Sequence, residues 1–362
     1  MTNERIELQL RTLPAAPGVY LMKDAAGGVI YVGKSKNLQQ RVRSYFHASR
    51  HRSKKVERLA HNVKDLEIRR TDTEFEALML ECRLIQELKP MYNKKMKSPL
   101  GYVYLAIRDT DGIWDLEVAD VPDAPGTRQV YGPYSASRYA VEAAVQSVRE
   151  ALRIACSRPR SAPIGFPCLN HSLGLCLGAC LGGEAVERNN RMMDRFTALL
   201  DGSDSSLREE LERRMQDASE RFDFEAAAKL RDALHAIDLF ARQEEIAGFI
   251  EQNENFVVVE RLSERETKWF ILQRNTILYS QKVELLRESS QASMSLEMAE
   301  QAVVYLRQRS FLTGKPTRDE IDEARIIYRY LQSSDCRYAK IPQAWIDALD
   351  KARIAQLIEE IL

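Results

Sequence analysis

Apolar and polar positions in the first hundred residues follow strand and helix periods that predict a small α/β unit. The predicted elements are, in chain order, strands at 18–22 and 29–33, helices at about 36–47 and 52–62, and a strand at 66–72. A helix over 73–88 follows, since Thr73-x-x-Glu76 is a capping pattern and Pro90 stops the helix.

The remaining pattern predicts a mixed middle region and a β-rich piece followed by helices. Its elements are strands at 102–108 and 115–120, a helix at 136–153, a loop at 156–183, a helical hairpin at 205–242, a β meander over 255–285, and helices at about 296–310, 317–332 and 343–361. The apolar stripes of the hairpin are too small to form their own core. We therefore expect it to dock on another surface, within the chain or on a partner.

The fold class is therefore α+β and multidomain. A length of 362 residues exceeds one compact core of usual size. Four regions are expected: a small α/β domain, a connecting segment with a cysteine cluster, a helical hairpin, and a β meander with C-terminal helices. Their bounds are 1–100, 101–190, 191–245 and 246–362.

Charge changes this picture at the N-terminus. The formal net charge is zero, but residues 1–100 carry 20 Lys and Arg against 11 Asp and Glu, whereas the rest carries 33 against 42. A basic first domain favours a polyanionic partner such as nucleic acid, although a solvated helical surface is the alternative. No apolar run approaches the roughly 18 residues of a membrane span, and the N-terminus is polar. We expect a cytoplasmic protein with no membrane partner.

One carboxylate stands out on the helix predicted over 73–88. On a helical wheel Glu81 falls inside an apolar arc formed by Phe75, Leu78, Met79, Cys82, Ile85 and Leu88. A carboxylate directed at a core requires a cation, a metal or a hydrogen-bond donor. A structural salt bridge is the simpler alternative.

Two tyrosines of the first hairpin lie near a glycine and a basic helix. Tyr20 and Tyr31 precede Gly33, where a backbone can approach a ligand closely, and Arg41 and Tyr45 then share one helix face. Arginine binds phosphate with two parallel hydrogen bonds, and tyrosine can donate, accept or remove a proton. Half-buried core tyrosines are the alternative interpretation.

These spaced residues resemble the GIY-YIG nuclease domain of the UvrC type. The matching positions are Gly18-Val19-Tyr20, Tyr31-Val32-Gly33, Lys34, Asn37, Arg41, Tyr45, Glu81 and Asn93, and the run EALMLECRLIQELKPMYN is similar to the catalytic helix of that family. The resemblance covers about residues 14–98. Both isoleucines of the motif name are valine in this chain, which conserves their apolar role.

The resemblance implies metal-dependent hydrolysis of a phosphodiester. Glu81 would hold one Mg²⁺ or Mn²⁺. Tyr20 would act as general base or orient the attacking water, with support from Tyr31, and Arg41 would stabilise charge on the phosphoryl oxygens. The remaining expected site residues are Lys34, Tyr45 and Asn93 for positioning, and Lys34, Lys36, Arg41 and Arg43 for binding DNA.

Four of the six cysteines cluster in one loop. Cys156, Cys168, Cys176 and Cys180 lack the paired C-x2-C spacing of zinc ribbons, and His171 is a possible rival ligand. In a reducing compartment this pattern favours a metal over disulfides, and the spacing alone leaves zinc and an iron–sulfur cluster nearly equal. The loop resembles UvrC after its nuclease domain, which implies a [4Fe–4S] cluster, with Zn²⁺ as the alternative.

The helical hairpin resembles the UVR motif, on the core sequence FDFEAAAKLRD. That resemblance implies docking on a matching hairpin of UvrB through Phe222, Phe224 and Leu230, whereas packing within the chain is the alternative. The tail shows no Asp/Asp/His set for a second nuclease. The architecture therefore resembles the short, single-nuclease, Cho-like form of the UvrC family.

The resemblance implies a nucleotide excision repair endonuclease that nicks double-stranded DNA once, on the 3′ side of a lesion, on UvrB-bound DNA. Two alternatives stay open: a catalytically inactive adaptor that binds DNA or UvrB, and a branched-DNA nuclease that acts without UvrB.

Overall fold

The computed structural model describes residues 4–46, 53–93, 103–121, 126–134, 137–154, 156, 165–284, 291–308 and 317–362. The chain forms two compact units. The first comprises Met1–Ser98 together with Phe249–Leu362, and the second comprises Pro99–Gly248. The four regions expected from sequence stay a prediction, since the two units group the first and last regions together.

The N-terminal part of the first unit is a three-stranded antiparallel sheet with four helices. Its elements are α1 Glu4–Arg11, β1 Gly18–Lys23, β2 Val29–Ser35, α2 Leu38–Ser44, α3 Lys54–Asn62, β3 Asp65–Arg70 and α4 Glu74–Leu88. The strand order is β2-β1-β3. The β1–β2 register pairs Tyr20 with Gly33 and Met22 with Tyr31, so the two tyrosines are diagonal neighbours on one face of the hairpin.

Helix α4 begins where the sequence predicts. The Thr73 side chain accepts a hydrogen bond from Glu76 N, and the Glu76 side chain accepts from Thr73 N, which completes a capping box. Lys89, in the left-handed conformation, ends the helix before Pro90.

Two different faces of α4 are buried, which corrects the single apolar arc expected from sequence. One face joins the sheet in a cluster of Val19, Leu21, Val32, Ala77, Leu84 and Ile85. The other face carries Phe75, whose ring contacts Phe270 and Tyr330 of the C-terminal part. Leu88, which the helical wheel places in the apolar arc, is exposed. By helical position, Glu81 belongs to the sheet-facing side.

The C-terminal part of the first unit is a second, four-stranded antiparallel sheet with helices. Its elements are β7 Asn255–Arg261, β8 Glu266–Gln273, β9 Thr276–Glu284, α10 Gln291–Gln308, α11 Arg318–Leu331, β10 Arg337–Ile341, α12 Gln343–Asp347 and α13 Lys351–Glu359, and the strand order is β10-β7-β8-β9. Trp269 and Ile271 pack into one cluster with residues of α10 and α13. Since side chains alternate along a strand, Lys268 and Phe270 occupy the opposite face of β8, which is directed at α4.

The second unit combines a three-stranded antiparallel sheet with helices. Its elements are β4 Val103–Thr110, β5 Ile113–Ala119, β6 Thr127–Tyr134, α5 Arg138–Ala151, α6 Leu169–Ser172, a 3₁₀ turn Ala179–Leu181, α7 Glu184–Leu200, α8 Ser206–Glu220 and α9 Phe224–Gln252, and the strand order is β5-β4-β6. Leu207, Leu211 and Leu234 of the helical hairpin share one core with the sheet. The hairpin therefore docks within the chain.

The sequence pattern did not predict five of the observed elements: α1, β6, the short α6, α7 and β10. Helix α9 also extends ten residues beyond the predicted end at 242. Among the residues that the structure describes, no helix is long and apolar enough to cross a membrane.

Candidate active site and cysteine cluster

Three tyrosine hydroxyls converge on one face of the first hairpin. Tyr20 Oη and Tyr45 Oη are 3.0 Å apart, and Tyr45 Oη donates to Tyr31 Oη at 3.4 Å. Arg41 Nη2 donates to Tyr45 Oη at 3.2 Å from the helix turn before it. The structure thus brings together four of the residues that the sequence proposed for the site.

Burial keeps the phenols of Tyr20 and Tyr31 neutral. Removal from solvent, together with the neighbouring Tyr45 and Tyr31, raises the pKa of Tyr20 far above its usual value. Burial and the Tyr45 hydroxyl likewise raise the pKa of Tyr31. The Tyr20 hydroxyl is therefore placed to make hydrogen bonds.

Gly33 makes room for the Tyr20 ring. A Cβ at Gly33 would collide with the Tyr20 hydroxyl and ring, although the strand backbone itself is ordinary there. The glycine in this motif is therefore required by close packing of the tyrosine, and not by an approaching ligand alone.

Glu81 of α4 contacts the C-terminal end of strand β2. Its Oε1 accepts a hydrogen bond from Lys34 N at 3.1 Å. Burial raises the pKa of Glu81 above its usual value, while the Lys34 hydrogen bond and the charges of Lys34 and Arg41 offset part of the shift. The Glu81 charge in turn contributes to the raised pKa of Tyr31.

The Glu81 carboxylate fits a single divalent cation. Within the described part of the chain no residue donates to its Oε2 or pairs with it in a salt bridge, so the structure does not support the alternative of a structural salt bridge. A half-buried carboxylate with a free oxygen suits Mg²⁺, which binds through one or two carboxylates and keeps several waters.

Two predicted DNA-binding lysines form ion pairs with the same acidic residue, Glu74. Lys34 Nζ and Lys36 Nζ both contact Glu74, Lys36 at 2.8 Å. Glu74 lies in the first turn of α4 and is not among the site residues expected from the sequence. The only sign in the sequence was the presence of two lysines at the end of β2. The sequence does not show that the fold brings them next to Glu74.

Asn93 and Arg43 bind backbone groups. The Asn93 side chain donates to Val32 O at 2.8 Å and accepts from Val32 N at 2.9 Å, which fixes the strand between Tyr31 and Gly33. Arg43 Nε donates to Leu10 O at 3.0 Å. Asn93 thus lies where a positioning role was expected, whereas Arg43 ties α2 to α1.

The four cysteines of the loop gather in the second unit, although residues 157–164 of that loop lie outside the described chain. The Sγ atoms of Cys156, Cys168 and Cys180 all lie within 4.8 Å of one another. Cys168 Sγ is 3.8 Å from both Cys156 Sγ and Cys176 Sγ. Burial raises the pKa of Cys176 to about 11, so its thiol is neutral unless a cation is bound.

His171 lies outside this thiol group. Its Nδ1 is buried with no hydrogen-bond partner among the described residues, and it faces Gly178, where a Cβ would meet the imidazole. The thiols are therefore better placed than the imidazole to act as ligands.

The turn of the helical hairpin presents two aromatic rings. Phe222 and Phe224 are 79% and 64% exposed and meet edge to face at 6.1 Å. Leu230, by contrast, is 7% exposed and lies in the core of the second unit. The structure therefore corrects the expected partner-binding set, because Leu230 faces inward.

Family models match three successive segments of the chain. They are a UvrC-like GIY-YIG domain over residues 16–94, the middle domain of the UvrC/Cho excinuclease over 102–199, and the UvrB/uvrC motif over 205–238. The chain belongs to the UvrC/Cho family.

Curated relatives of this family are longer. UvrABC system protein C of Acetivibrio thermocellus is 29% identical over 93% of this chain and 55% of its own length. The protein of the same name from Caldanaerobacter subterraneus is 35% identical over 71% of this chain and 42% of its own length. The chain thus spans about half the length of these UvrC relatives.

One solved structure similar to this chain is the GIY-YIG N-terminal endonuclease domain of UvrC from Thermotoga maritima, bound to its catalytic divalent cation, magnesium. It is 37% identical, covers 25% of this chain and 99% of its own, and has a TM-score of 0.24.

Proposed function

We propose that the chain is a metal-dependent DNA endonuclease of nucleotide excision repair that makes one incision, on the 3′ side of a lesion, on UvrB-bound DNA. The observation that carries the proposal is the convergence of Tyr20, Tyr45, Tyr31 and Arg41 beside a half-buried Glu81 with a free oxygen. Hydrolysis forms one bond from water oxygen to phosphorus and breaks one ester bond.

Glu81 would hold one Mg²⁺ or Mn²⁺, which when bound stabilises charge on the scissile phosphate and the leaving oxygen. The neutral Tyr20 hydroxyl orients the attacking water, and Tyr45 and Tyr31 fix its direction through the hydroxyl chain. Arg41 extends its guanidinium to the same point and binds phosphate oxygens.

The lysines bind the DNA backbone beside this centre. Lys34 and Lys36 share Glu74, so a phosphate can replace that carboxylate and recover the same charge pairing. Asn93 holds the strand that carries Tyr31, and Arg43 contributes positive charge at the adjacent helix.

The partner is proposed to be UvrB, bound through the exposed Phe222 and Phe224 at the hairpin turn. Exposed aromatic anchors of this kind dominate the free energy of many interfaces. We place the protein in the cytoplasm, where its DNA and UvrB would meet it.

The four cysteines are proposed to bind metal as a set. The family resemblance favours a [4Fe–4S] cluster. Sulfur separations of 3.8 Å also match the edge of a tetrahedron around one Zn²⁺, for which Zn–S bonds of about 2.3 Å predict an edge of about 3.8 Å. Iron, sulfide and zinc analysis after anaerobic purification separates the two.

Incision of a lesion-bearing duplex with UvrA, UvrB and Mg²⁺ tests the proposal. Glu81→Ala should abolish the nick, while Glu87→Ala, an exposed position of the same helix, should retain it. Wild-type protein that binds UvrB and DNA without cutting would establish the adaptor instead. Equal cutting of undamaged branched DNA without UvrB would favour the independent nuclease.

A further inference from the structure

We propose that Phe249–Leu362 acts as a built-in support for the catalytic helix, and that Lys268 and Tyr330 are positioning residues that set the place of Glu81. This inference rests on the proposed function of Glu81 as the metal ligand. It assigns a role to the C-terminal region, whose pattern otherwise indicates only a small sheet with helices.

Lys268 ties the second sheet to the start of α4. Its ammonium lies 2.7 Å from Asp72 Oδ2 and 2.9 Å from Glu76 Oε1, and the residue is only 6% exposed. A lysine is almost never this buried unless it is paired. Burial opposes its charge, but the bonds and charges of Asp72 and Glu76 outweigh that effect and raise its pKa.

Glu76 shares its two oxygens between these two parts of the unit. Its Oε2 accepts from Thr73 N and Asp72 N at the helix cap, and its Oε1 accepts from Lys268 and from Ser280 Oγ at 3.2 Å. The C-terminal sheet therefore holds the residue that caps the catalytic helix. A shift of this sheet is transmitted directly to the first turn of α4.

Aromatic stacking supports the same first turn of α4. The Phe75 and Tyr330 rings are stacked, with centroids 3.9 Å apart and planes within 4°, and Phe270 meets Phe75 edge to face at 5.3 Å. Tyr330 is itself held by a 2.6 Å hydrogen bond to Glu260. Phe75 is 2% exposed, so this support is a dry contact.

The far end of the helix is supported as well. Arg83 Nε pairs with Glu323 of α11 at 2.7 Å, and Glu323 also accepts from Asn275 Nδ2 at 2.9 Å. Glu81 lies between the supported positions 76 and 83, on the other side of the helix. Its carboxylate can approach Lys34 N only while α4 keeps its place between the two sheets.

Direct Mn²⁺ binding to the full chain tests this inference, by following the spin resonance signal of free Mn²⁺ during titration. Lys268→Met should weaken binding at the Glu81 site by about 10-fold, the lower end of the range for residues that orient a metal ligand. Removal of a positive charge alone would strengthen cation binding. The direction of the change therefore separates positioning from simple electrostatics.

Lys282→Met is the matched control, since Lys282 is the partner of Lys268 across β8 and β9 but pairs with Glu266. The change removes a neighbouring positive charge and leaves the Lys268–Glu76 contact in place. This variant should bind Mn²⁺ as wild type does or slightly more tightly. Tyr330→Leu, which removes the stacked ring and keeps apolar volume, should weaken binding in the same direction as Lys268→Met. If Lys268→Met does not fold, Lys268→Met with Glu76→Gln removes the unpaired buried charge, retains the cap, and should show the same weakening.

Unchanged Mn²⁺ affinity in Lys268→Met, or in the double variant where the single one does not fold, would overturn the positioning role and leave the proposed function standing. The proposed function fails separately if wild-type protein shows no Mn²⁺ site that Glu81→Ala removes, and the inference then fails with it.

Discussion

The hydroxyl of Tyr20 lies over Gly33, its paired residue on the neighbouring strand, so closely that no Cβ fits between them. Tyr20 is 1% exposed and bonded to Tyr45, so its ring has no free space into which it can move. The glycine and the tyrosine therefore form one packing unit, and the position of the Tyr20 hydroxyl depends on a residue without a side chain.

Gly33→Ala should displace the Tyr20 hydroxyl and lower the incision rate by roughly 100-fold, since misplacement of a reacting group by about 1 Å can cost that much. Overpacking should also lower the free energy of unfolding by about 1–3 kcal/mol. Single-turnover incision and thermal unfolding measure both. Gly28→Ala, whose new Cβ meets only the Asp24 side chain at 3.4 Å, is the control, and equal rates for the two variants would contradict the packing role.

Glu81→Gln should stabilise the metal-free protein at neutral pH. Because the folded protein raises the pKa of Glu81, its ionisation opposes folding, and stability falls as the pH rises through the folded-state value. Below the ordinary carboxylate range both states are protonated, and the advantage of the variant should vanish.

Thermal unfolding across pH, in a chelator, checks this prediction, with Glu87→Gln on the exposed side of the same helix as control. Added Mg²⁺ should reverse the order, because it stabilises only a protein that binds it. A stabilising effect of Glu81→Gln that persists at low pH would exclude ionisation as the cause.

Local sequence rules predicted most of this first domain. The capping box at Thr73 and Glu76, the two strands of the hairpin, and the helix end before Pro90 all depend on contacts within a few residues, and the structure confirms them. These signals are readable because the groups that satisfy one another are neighbours in the chain.

Long-range packing was not readable in the same way. Phe75 and Cys82 were assigned to the same core as Glu81, but Phe75 packs on Tyr330, some 250 residues later. A helix with apolar residues on two sides shows the same sequence pattern in two cases: when one neighbouring element covers both sides, and when two elements cover one side each. The sequence pattern also missed strands β6 and β10, which are edge strands of their sheets. Each pairs with a single strand that is not its neighbour in sequence, β6 with β4 and β10 with β7.

Phe222→Ser and Phe224→Ser should weaken binding to UvrB, each by about 30-fold if it acts as an interface anchor of about 2 kcal/mol. Both rings are exposed, so neither change should alter the unfolding temperature appreciably. Titration with purified UvrB measures the loss. Leu239→Ser, at another exposed apolar position of α9, is the control.

Leu230→Ala provides the opposite case. Since Leu230 is buried in the second unit, its truncation should cost about 2–5 kcal/mol of unfolding free energy. At a temperature where the variant remains folded, affinity for UvrB should stay as in wild type. A large loss of affinity in the folded variant would return Leu230 to the partner-binding set.

Cys168→Ser should remove the metal of the cysteine cluster and destabilise the second unit. Cys168 Sγ contacts both Cys156 and Cys176, so its loss opens the ligand set at its centre. A metal bound only by the folded loop contributes its binding free energy to stability, and this contribution disappears with it. Elemental analysis and calorimetric unfolding are the two measurements.

Cys336→Ser is the matched control, because Cys336 lies in the first unit and bonds to Tyr330 O at 3.3 Å. It should retain the full metal content, and the Mn²⁺ affinity at Glu81 should remain unchanged in Cys168→Ser, since the two sites belong to different units. If wild-type protein purified without oxygen holds no iron or zinc, the four cysteines pack as free thiols. The unfolding temperature of Cys168→Ser would then stay near that of wild type.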